Sequence, residues 1–124
     1  MNLTMVFTCG STSLVGAEGT PVKINTADGT VVPCSAAADE AIGIVASGAA
    51  VGSPVQVTTA GQTIGGILVS ATVTRGQFAT INSAGTGFTG GKVDAAVFMG
   101  IILENGVSGD YVQAFLFPGC KHKA

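Results

Sequence analysis

The second half of this chain repeats the first half at a constant offset. Gly19 matches Gly76, and the same offset (76 − 19 = 57) recurs along the chain. The other matches are turn glycines and β-type apolar positions, among them Ile24/Ile81, Asn25/Asn82, Ala38/Ala95, Gly52/Gly109, Val55/Val112 and Gln56/Gln113. No acid, histidine or cysteine recurs at this offset. The sequence therefore predicts a duplicated folding unit rather than a duplicated catalytic site.

The residue types between the glycines favour strands. Glycine accounts for 19 of the 124 residues, roughly twice the usual share of about 7%. Valine, isoleucine and threonine fill much of the remaining sequence, and their stiff side chains suit a pleated sheet. No segment keeps a helical apolar stripe between capped ends. We predict an all-β fold, a small β-barrel or β-sandwich built from two internally repeated β units with little helix.

Glycine, proline and Asp-Gly turns divide the chain into about nine short extended segments. These segments are Leu3–Cys9, Thr20–Thr26, Thr30–Pro33, Ala41–Ala46, Pro54–Thr59, Gln62–Thr74, Phe78–Asn82, Val97–Leu103 and Tyr111–Phe117. We expect one helical turn over 35–40 and a glycine-rich turn over 83–91. The predicted organisation is an extended arm over 1–18, a single β domain over 19–118 with repeat units 19–61 and 76–118, and a tail over 119–124.

Charge and hydropathy exclude two classes of partner. Only 10% of the residues are charged and the net charge is −2, whereas a nucleic-acid surface needs a dense field of lysine and arginine. The chain is 47% hydrophobic, yet no run approaches the ~20 apolar residues of a membrane helix. Low charge leaves little repulsion between copies, so we expect a partner or sister subunits to cover much of the surface.

The chain has three cysteines, Cys9, Cys34 and Cys120. An odd number without a recognisable signal peptide fits a reducing compartment, where thiols serve as small apolar residues. Three free thiols are therefore favoured, and a disulfide among them stays open.

Residues that could carry chemistry are few and scattered. Asp39 and Glu40 are adjacent acids, but sequence neighbours point in different directions, so a solvated loop is favoured. His122 is the only histidine; it lies near Cys120, but a structural zinc needs about four ligands, so a polar tail is favoured. The run 85–92 lacks the Gly-Lys-Ser/Thr end of a phosphate-binding loop, which favours a hairpin. We expect no enzyme activity and no catalytic, cofactor, metal or substrate site.

Two further patterns concern packing. Gly43 and Gly100 each lie inside a buried apolar strand, which indicates a bulge or a close backbone approach that both copies share. Replacing Gly100 with valine should then disrupt folding. Tyr111, Phe115 and Phe117 share one parity, so a single strand would present three aromatic rings on one face. That face is either core or a partner-facing patch.

The glycine and apolar motifs resemble those of a known family. Residues 100–117 read Gly-Ile-Ile-Leu-Glu, then small residues and glycine, then an alternating final strand. This segment resembles the carboxyl half of small tailed-phage capsid decoration (cement) proteins. The first copy is similar in style at 19–24 (Gly-Thr-Pro-Val-Lys-Ile) and 41–45 (Ala-Ile-Gly-Ile-Val). The resemblance covers about residues 19 to 118.

The resemblance implies a non-catalytic structural protein that needs no cofactor. Proteins of this family bind the outside of an assembled icosahedral shell, commonly as homotrimers, and stabilise it against internal DNA pressure. The implied partner is the major capsid protein, and the implied location is the virion exterior after synthesis in the host cytoplasm. An extended arm could add a strand to a sheet edge of the shell protein. The expected capsid-binding residues are Leu3, Thr4, Met5, Val6 and Phe7.

Two other readings share this composition. One is a structural module of a phage tail or fibre, or another β-rich adhesion domain, although the absence of tryptophan and the single tyrosine argue against a sugar platform. The other is a small enzyme or a swinging-arm carrier domain, for which Lys92 is the only lysine in a suitable turn. Binding to a capsid shell, binding to a cell-surface glycan, or a covalently modified lysine would distinguish these functions.

Overall fold

The computed structural model of the chain describes residues 2–26, 28–63, 65–91 and 96–121. Within these residues the chain forms strands and irregular segments, and it contains no helix. The strands are β1 (Asn2–Cys9), β2 (Pro21–Ile24), β3 (Thr30–Pro33), β4 (Ala41–Ser47), β5 (Pro54–Gln62), β6 (Ile67–Leu68), β7 (Phe78–Ile81), β8 (Phe88–Gly90), β9 (Val97–Ile102), β10 (Tyr111–Val112) and β11 (Ala114–Lys121). The all-β class predicted from the sequence is confirmed.

The first repeat closes into a ring of five strands. β3 pairs with β2, β2 with β4, and β4 with β5, all in antiparallel orientation. β1 closes the ring because it pairs antiparallel with β5 and parallel with β3. We call β1–β5 the first barrel. Where β1 meets β3, at Thr8 and Cys9, closure satisfies backbone groups that would otherwise lie at a sheet edge.

The second repeat has the same strand order. β8 pairs with β7, β7 with β9, and β9 with β11, again antiparallel. β6 takes the place of β1: it pairs antiparallel with β10, and the adjacent Val69 makes a parallel bridge to Phe88 of β8. We call β6–β11 the second barrel. The two internally repeated β units expected from the sequence are therefore two barrels with equivalent topology.

Hydrogen bonds in the connecting loops are repeated along with the strands. The Gly19 N–H donates to the Val45 carbonyl at 2.9 Å, and the Gly76 N–H donates to the Ile102 carbonyl at 2.7 Å. Two further pairs of bonds correspond in the same way: Thr20 to Ala17 with Gln77 to Thr74, and Ser53 to Ala50 with Asp110 to Val107. The constant offset in the sequence thus reflects equivalent turns as well as equivalent strands.

Each barrel encloses its own core. The first contains Cys9, Leu14, Val22, Val31, Val45, Val55 and Val57. The second contains Ile67, Val69, Val73, Ala79, Ile81, Phe88, Val97, Met99, Ile102, Val112, Ala114 and Leu116, together with Ile44 from the first barrel. Full burial of one such large aliphatic or aromatic side chain stabilises the fold by about 1.5–3 kcal/mol. The second barrel has the bulkier core, since Phe88 stands where the first has Val31.

Several contacts join the barrels. β5 and β11 pair at Gln62 and Phe115, so one sheet runs through both repeats. The Leu68 N–H donates to the Gly19 carbonyl at 3.0 Å. Ile44 lies on β4 of the first barrel but packs in the core of the second. The two repeats are therefore packed against each other rather than strung on a linker.

The segment 1–18 was predicted as an extended arm, but its described residues, 2–18, are part of the first barrel. Its strand β1 pairs with β5 from Asn2 to Thr8. At the carboxyl end of β1, Cys9 is buried and Phe7 packs against the core. Leu14, in the loop that follows, is fully buried. Because these apolar residues complete the first core, the segment does not project from the fold.

Three local predictions also differ from the structure. Residues 35–40 form a turn without a helix. Among the described residues of the run 62–74, the short strand β6 is the only strand beyond the end of β5. The glycine-rich segment 83–91, predicted as a turn, contains β8. The predicted tail over 119–124 is partly strand, because β11 extends to Lys121, and residues 122–124 lie outside the described residues.

Candidate functional site

The five residues predicted to bind a capsid lie together on β1. Leu3, Met5 and Val6 are exposed by 55%, 46% and 66%. Thr4 is half-buried, and Phe7 packs against the core of the first barrel. Three of the five side chains are therefore available to a partner.

The backbone of β1 is paired differently on its two edges. β5 pairs with β1 from Asn2 to Thr8, whereas β3 pairs with it only at Thr8 and Cys9 among the described residues. Residues 3–6 therefore have no strand partner on the β3 side within the described chain. An open edge that carries apolar side chains is a template for a further strand.

A bulge lies at the start of this edge. Leu3 is opposite Ala60 and Thr4 is opposite Thr58, so Thr59 is the extra residue on β5. The Thr59 hydroxyl donates to the Leu3 carbonyl at 3.2 Å. The hydroxyls of Thr4 and Thr58 are buried and have no hydrogen-bond partner in the described part of the chain. Beyond the bulge, Gly61 of β5 pairs both with Asn2 of β1 and with Leu116 of β11.

Asp39, one of the two adjacent acids, holds a turn. Its Oδ2 accepts the Ser35 N–H at 2.7 Å and the Ala36 N–H at 3.2 Å, and the Lys23 Nζ lies 3.1 Å away. The hydrogen bond from the Ser35 N–H, supported by the Lys23 ammonium, holds the pKa of the Asp39 carboxyl below its ordinary value. Glu40 is exposed. The pair forms a structural turn and does not share one site.

Two of the three cysteines are free, buried thiols. Cys9 donates from Sγ to the Thr12 carbonyl at 3.1 Å. Burial, followed by the nearby Asp39 charge, raises the pKa of the Cys34 thiol to about 12. A thiol that stays protonated is a poor nucleophile and a poor metal ligand. The side chain of Cys120 and the whole of His122 lie outside the described residues.

The glycine-rich run 85–92 helps to join the barrels. A Cβ on Gly85 would lie 2.7 Å from the Ser35 backbone nitrogen, so the two loops are in close backbone contact. Asn82 fixes the start of the loop because its Oδ1 accepts the Thr86 N–H at 3.0 Å. Lys92, the lysine considered for a carrier domain, lies outside the described residues.

Residues 2–26, 28–63, 65–91 and 96–121 contain no group of three or more histidine, cysteine, aspartate or glutamate residues that could hold a metal ion. In the same ranges no helix is long and apolar enough to cross a membrane.

Of the three aromatic residues near the carboxyl end, Tyr111 lies on a different strand from Phe115 and Phe117. Tyr111 belongs to β10 and pairs with Leu68, whereas Phe115 belongs to β11 and pairs with Ile101. Both rings are 50% exposed, so neither belongs to the core. The Tyr111 ring lies over Gly19 of the first barrel, where a Cβ would be 2.9 Å from Cε2.

Phe115 instead belongs to a larger apolar surface on the second barrel. Cross-strand pairing places Phe78, Ile101 and Phe115 on one face of β7, β9 and β11. Phe98 contacts Phe78 with ring centroids 4.8 Å apart, and Phe117 lies edge-on to Phe98 at 6.2 Å. We call these five residues the aromatic face. Phe78, Phe98 and Ile101 were not predicted as site residues; the 57-residue offset pairs them with Pro21, Ala41 and Ile44.

No protein-family model matches this chain, and no curated protein matches it either.

Proposed function

We propose that this chain is a structural, non-catalytic protein that binds the outer surface of an assembled phage capsid and stabilises the shell. The observation that carries the proposal is the open edge of β1 over residues 3–6, lined by the exposed Leu3, Met5 and Val6. The resemblance of residues 19 to 118 to capsid decoration proteins supplies the identity of the partner.

Strand addition would provide the contact. A segment of the major capsid protein pairs with the free backbone groups of β1, and the exposed apolar side chains add specificity. β1 is held on its other edge by β5, so the surface is already ordered and loses little conformational entropy on binding. A homotrimer presents three such edges, and multivalent docking strengthens weak individual contacts.

The remaining properties of the proposal follow from this role. The protein would reside on the virion exterior after synthesis in the host cytoplasm. It would need no cofactor, and its charge of −2 with only five basic residues suits a protein partner better than DNA.

Co-sedimentation with emptied tailed-phage shells tests the proposal. The unmodified protein should bind saturably, at a fixed ratio to the shell subunit, and should raise the melting temperature of the shell. Val6→Glu should weaken binding about tenfold or more, because a charge at a strand edge opposes pairing. Val51→Glu is the matched control: Val51 is 56% exposed and lies in a turn of the same barrel.

A substitution tests the binding edge more specifically than a deletion, because removing residues 2–12 would also remove a strand of the first barrel. Val51→Glu should bind as the unmodified protein does. Absence of binding to shells, or equal binding by the Val6→Glu and Val51→Glu variants, would contradict the proposal; saturable binding to a cell-surface glycan would favour an adhesion module.

A further inference from the structure

The aromatic face is a large apolar surface in a chain with few charges. Four of the six phenylalanines of the chain lie on it. Phe115 is 50% exposed, and Phe78, Phe98, Ile101 and Phe117 are each partly exposed. Gln62, the cross-strand neighbour of Phe115 on β5, is exposed and uncharged. An apolar surface of adjacent aromatic side chains is typical of a protein interface.

In the first barrel, the surface equivalent to the aromatic face is covered by other residues of the chain. The residues 57 positions earlier are Pro21, Ala41, Ile44, Thr58 and Ala60. Ile44 and Thr58 are each only 2% exposed and Pro21 is buried. Ile44 packs within the core of the second barrel, with Ala41 against that core. In the first repeat, this face is therefore buried by the second barrel of the same chain.

The contact between the barrels is also fixed by the backbone. The Val97 N–H of β9 donates to the Ala37 carbonyl at 2.8 Å. β4, which carries Ile44, leads into β5, and the end of β5 pairs with β11. The interface between the two repeats is therefore continuous with the sheet that carries the aromatic face.

We infer that the aromatic face binds a second copy of this chain. Both repeats have an apolar outer face at the same place in the fold, but only the first repeat has a neighbouring barrel within its own chain to cover it. A second copy supplies a barrel of the same kind. The net charge of −2 on 124 residues gives little electrostatic repulsion between copies. Phenylalanine in place of Ala41, Thr58 and Ala60 provides the larger apolar area that an intermolecular contact needs to offset lost translational freedom.

Molar mass in solution tests this contact, and no capsid shell is required. The full chain, measured by size-exclusion chromatography with light scattering over a concentration series, should form an oligomer. Phe115→Thr, which installs the residue found at the equivalent position 58, should weaken association about tenfold or more, as expected for a central aromatic residue. Val107→Thr is the matched control, because Val107 is 56% exposed in a turn of the same barrel.

A second variant, Gln62→Lys, separates association from folding, because the side chain is exposed and a lysine charge there would have to be desolvated in the contact. A monomeric unmodified protein would overturn the inference, and so would an oligomer that neither Phe115→Thr nor Gln62→Lys weakens. An oligomer that depends on Phe115 in a protein that binds no shell would support this contact and contradict the capsid function.

Discussion

Gly43 and Gly100 occupy equivalent positions in the two barrels, and the same obstacle prevents a side chain at each. A Cβ on Gly43 would lie 2.5 Å from the Thr58 carbonyl oxygen, and a Cβ on Gly100 would collide with the Phe115 carbonyl oxygen. Thr58 and Phe115 are themselves 57 positions apart. The duplicated glycines therefore preserve a close approach between two neighbouring strands.

A bulge precedes each of these glycines. Val22 pairs with Gly43 and Lys23 with Ala41, so Ile42 is the extra residue on β4. At the equivalent place on β9, Met99 is the extra residue. Each bulge bends its strand, and the following glycine lets the bent strand lie against its neighbour.

We expect Gly100→Ala and Gly43→Ala each to lower the free energy of unfolding by about 1–3 kcal/mol, because backbone atoms must move to admit the methyl group. Gly90→Ala is the control: Gly90 also lies in a strand, but the atoms nearest its Cβ position belong to the flexible Gln77 side chain. Urea unfolding measures the difference. Equal losses at Gly100 and Gly90 would show that strand glycines in general, and not this approach, set the cost.

Removing the buried hydroxyl of Thr58 should raise the free energy of unfolding, whereas the glycine substitutions should lower it. Thr58 is 2% exposed, and its hydroxyl has no hydrogen-bond partner in the described residues. Thr58→Val keeps the shape and removes the desolvated hydroxyl, so it should raise the free energy of unfolding by about 1 kcal/mol. Thermal and urea unfolding should both report the gain.

Thr63 provides the matched comparison for Thr58. It is 5% exposed, and its hydroxyl accepts the Ala114 N–H at 3.1 Å and lies 3.2 Å from the Gln113 Oε1. Thr63→Val leaves these groups unpaired and should destabilise the fold by about 1–3 kcal/mol. A loss of similar size at both positions would mean that the Thr58 hydroxyl is hydrogen-bonded in solution.

The strands were largely predictable from the sequence because their signals are local. Alternation and turn glycines place most of the strands in both repeats, and the offset of 57 identifies their equivalence. β1 was identified as extended, but not as part of a barrel. Its partner β5 lies about fifty residues away, and the side-chain pattern of Leu3 to Cys9 is the same for a free arm and for a paired strand.

The aromatic face could not be predicted from the alternation of inward and outward side chains along a strand. Phe98 and Ile101 are three residues apart, so strict alternation would place them on opposite faces of β9. The bulge at Met99 brings both to the outer face. The sequence likewise does not distinguish Ile44 from Ile101: the first is buried by the second barrel, and the second is partly exposed.

The Cys34 thiol should make stability depend on alkaline pH. Its pKa is about 12 in the fold, against about 8.5 in an unfolded chain. A raised folded pKa means that the contribution to stability is complete below about pH 8.5 and is lost as the pH rises toward 12, since the unfolded thiol ionises first. The free energy of unfolding should fall by up to about 1.4 kcal/mol per pH unit from this group.

Cys34→Ala isolates that contribution, because it removes the thiol and leaves the other titrating groups in place. The variant should be less stable than the unmodified protein at neutral pH, and its stability should decline less between pH 9 and 11. Parallel declines in the two proteins would show that the folded thiol ionises as readily as the unfolded one.

The Asp39 carboxylate should make stability depend on acidic pH, with the opposite sign. Its pKa lies below the ordinary value in the fold, chiefly because its Oδ2 accepts the Ser35 N–H. The contribution is therefore complete above the unfolded pKa of about 3.9 and is lost as the pH falls through the folded pKa. Asp39→Asn, which keeps an oxygen acceptor but no charge, should lose less stability between pH 5 and 2 than the unmodified protein, as measured by urea unfolding.

Lys23→Met separates the two partners of this carboxylate. It removes the ammonium 3.1 Å from Oδ2 but leaves the backbone donors of the turn. Because the Ser35 N–H is the largest single cause of the lowered pKa, this variant should keep part of the acid sensitivity that Asp39→Asn loses. If Lys23→Met instead removes as much of the acid sensitivity as Asp39→Asn does, the ion pair with Lys23, and not the hydrogen bonds of the turn, lowers the pKa of the Asp39 carboxyl. The stabilising role of Asp39 would then be its ion pair with Lys23.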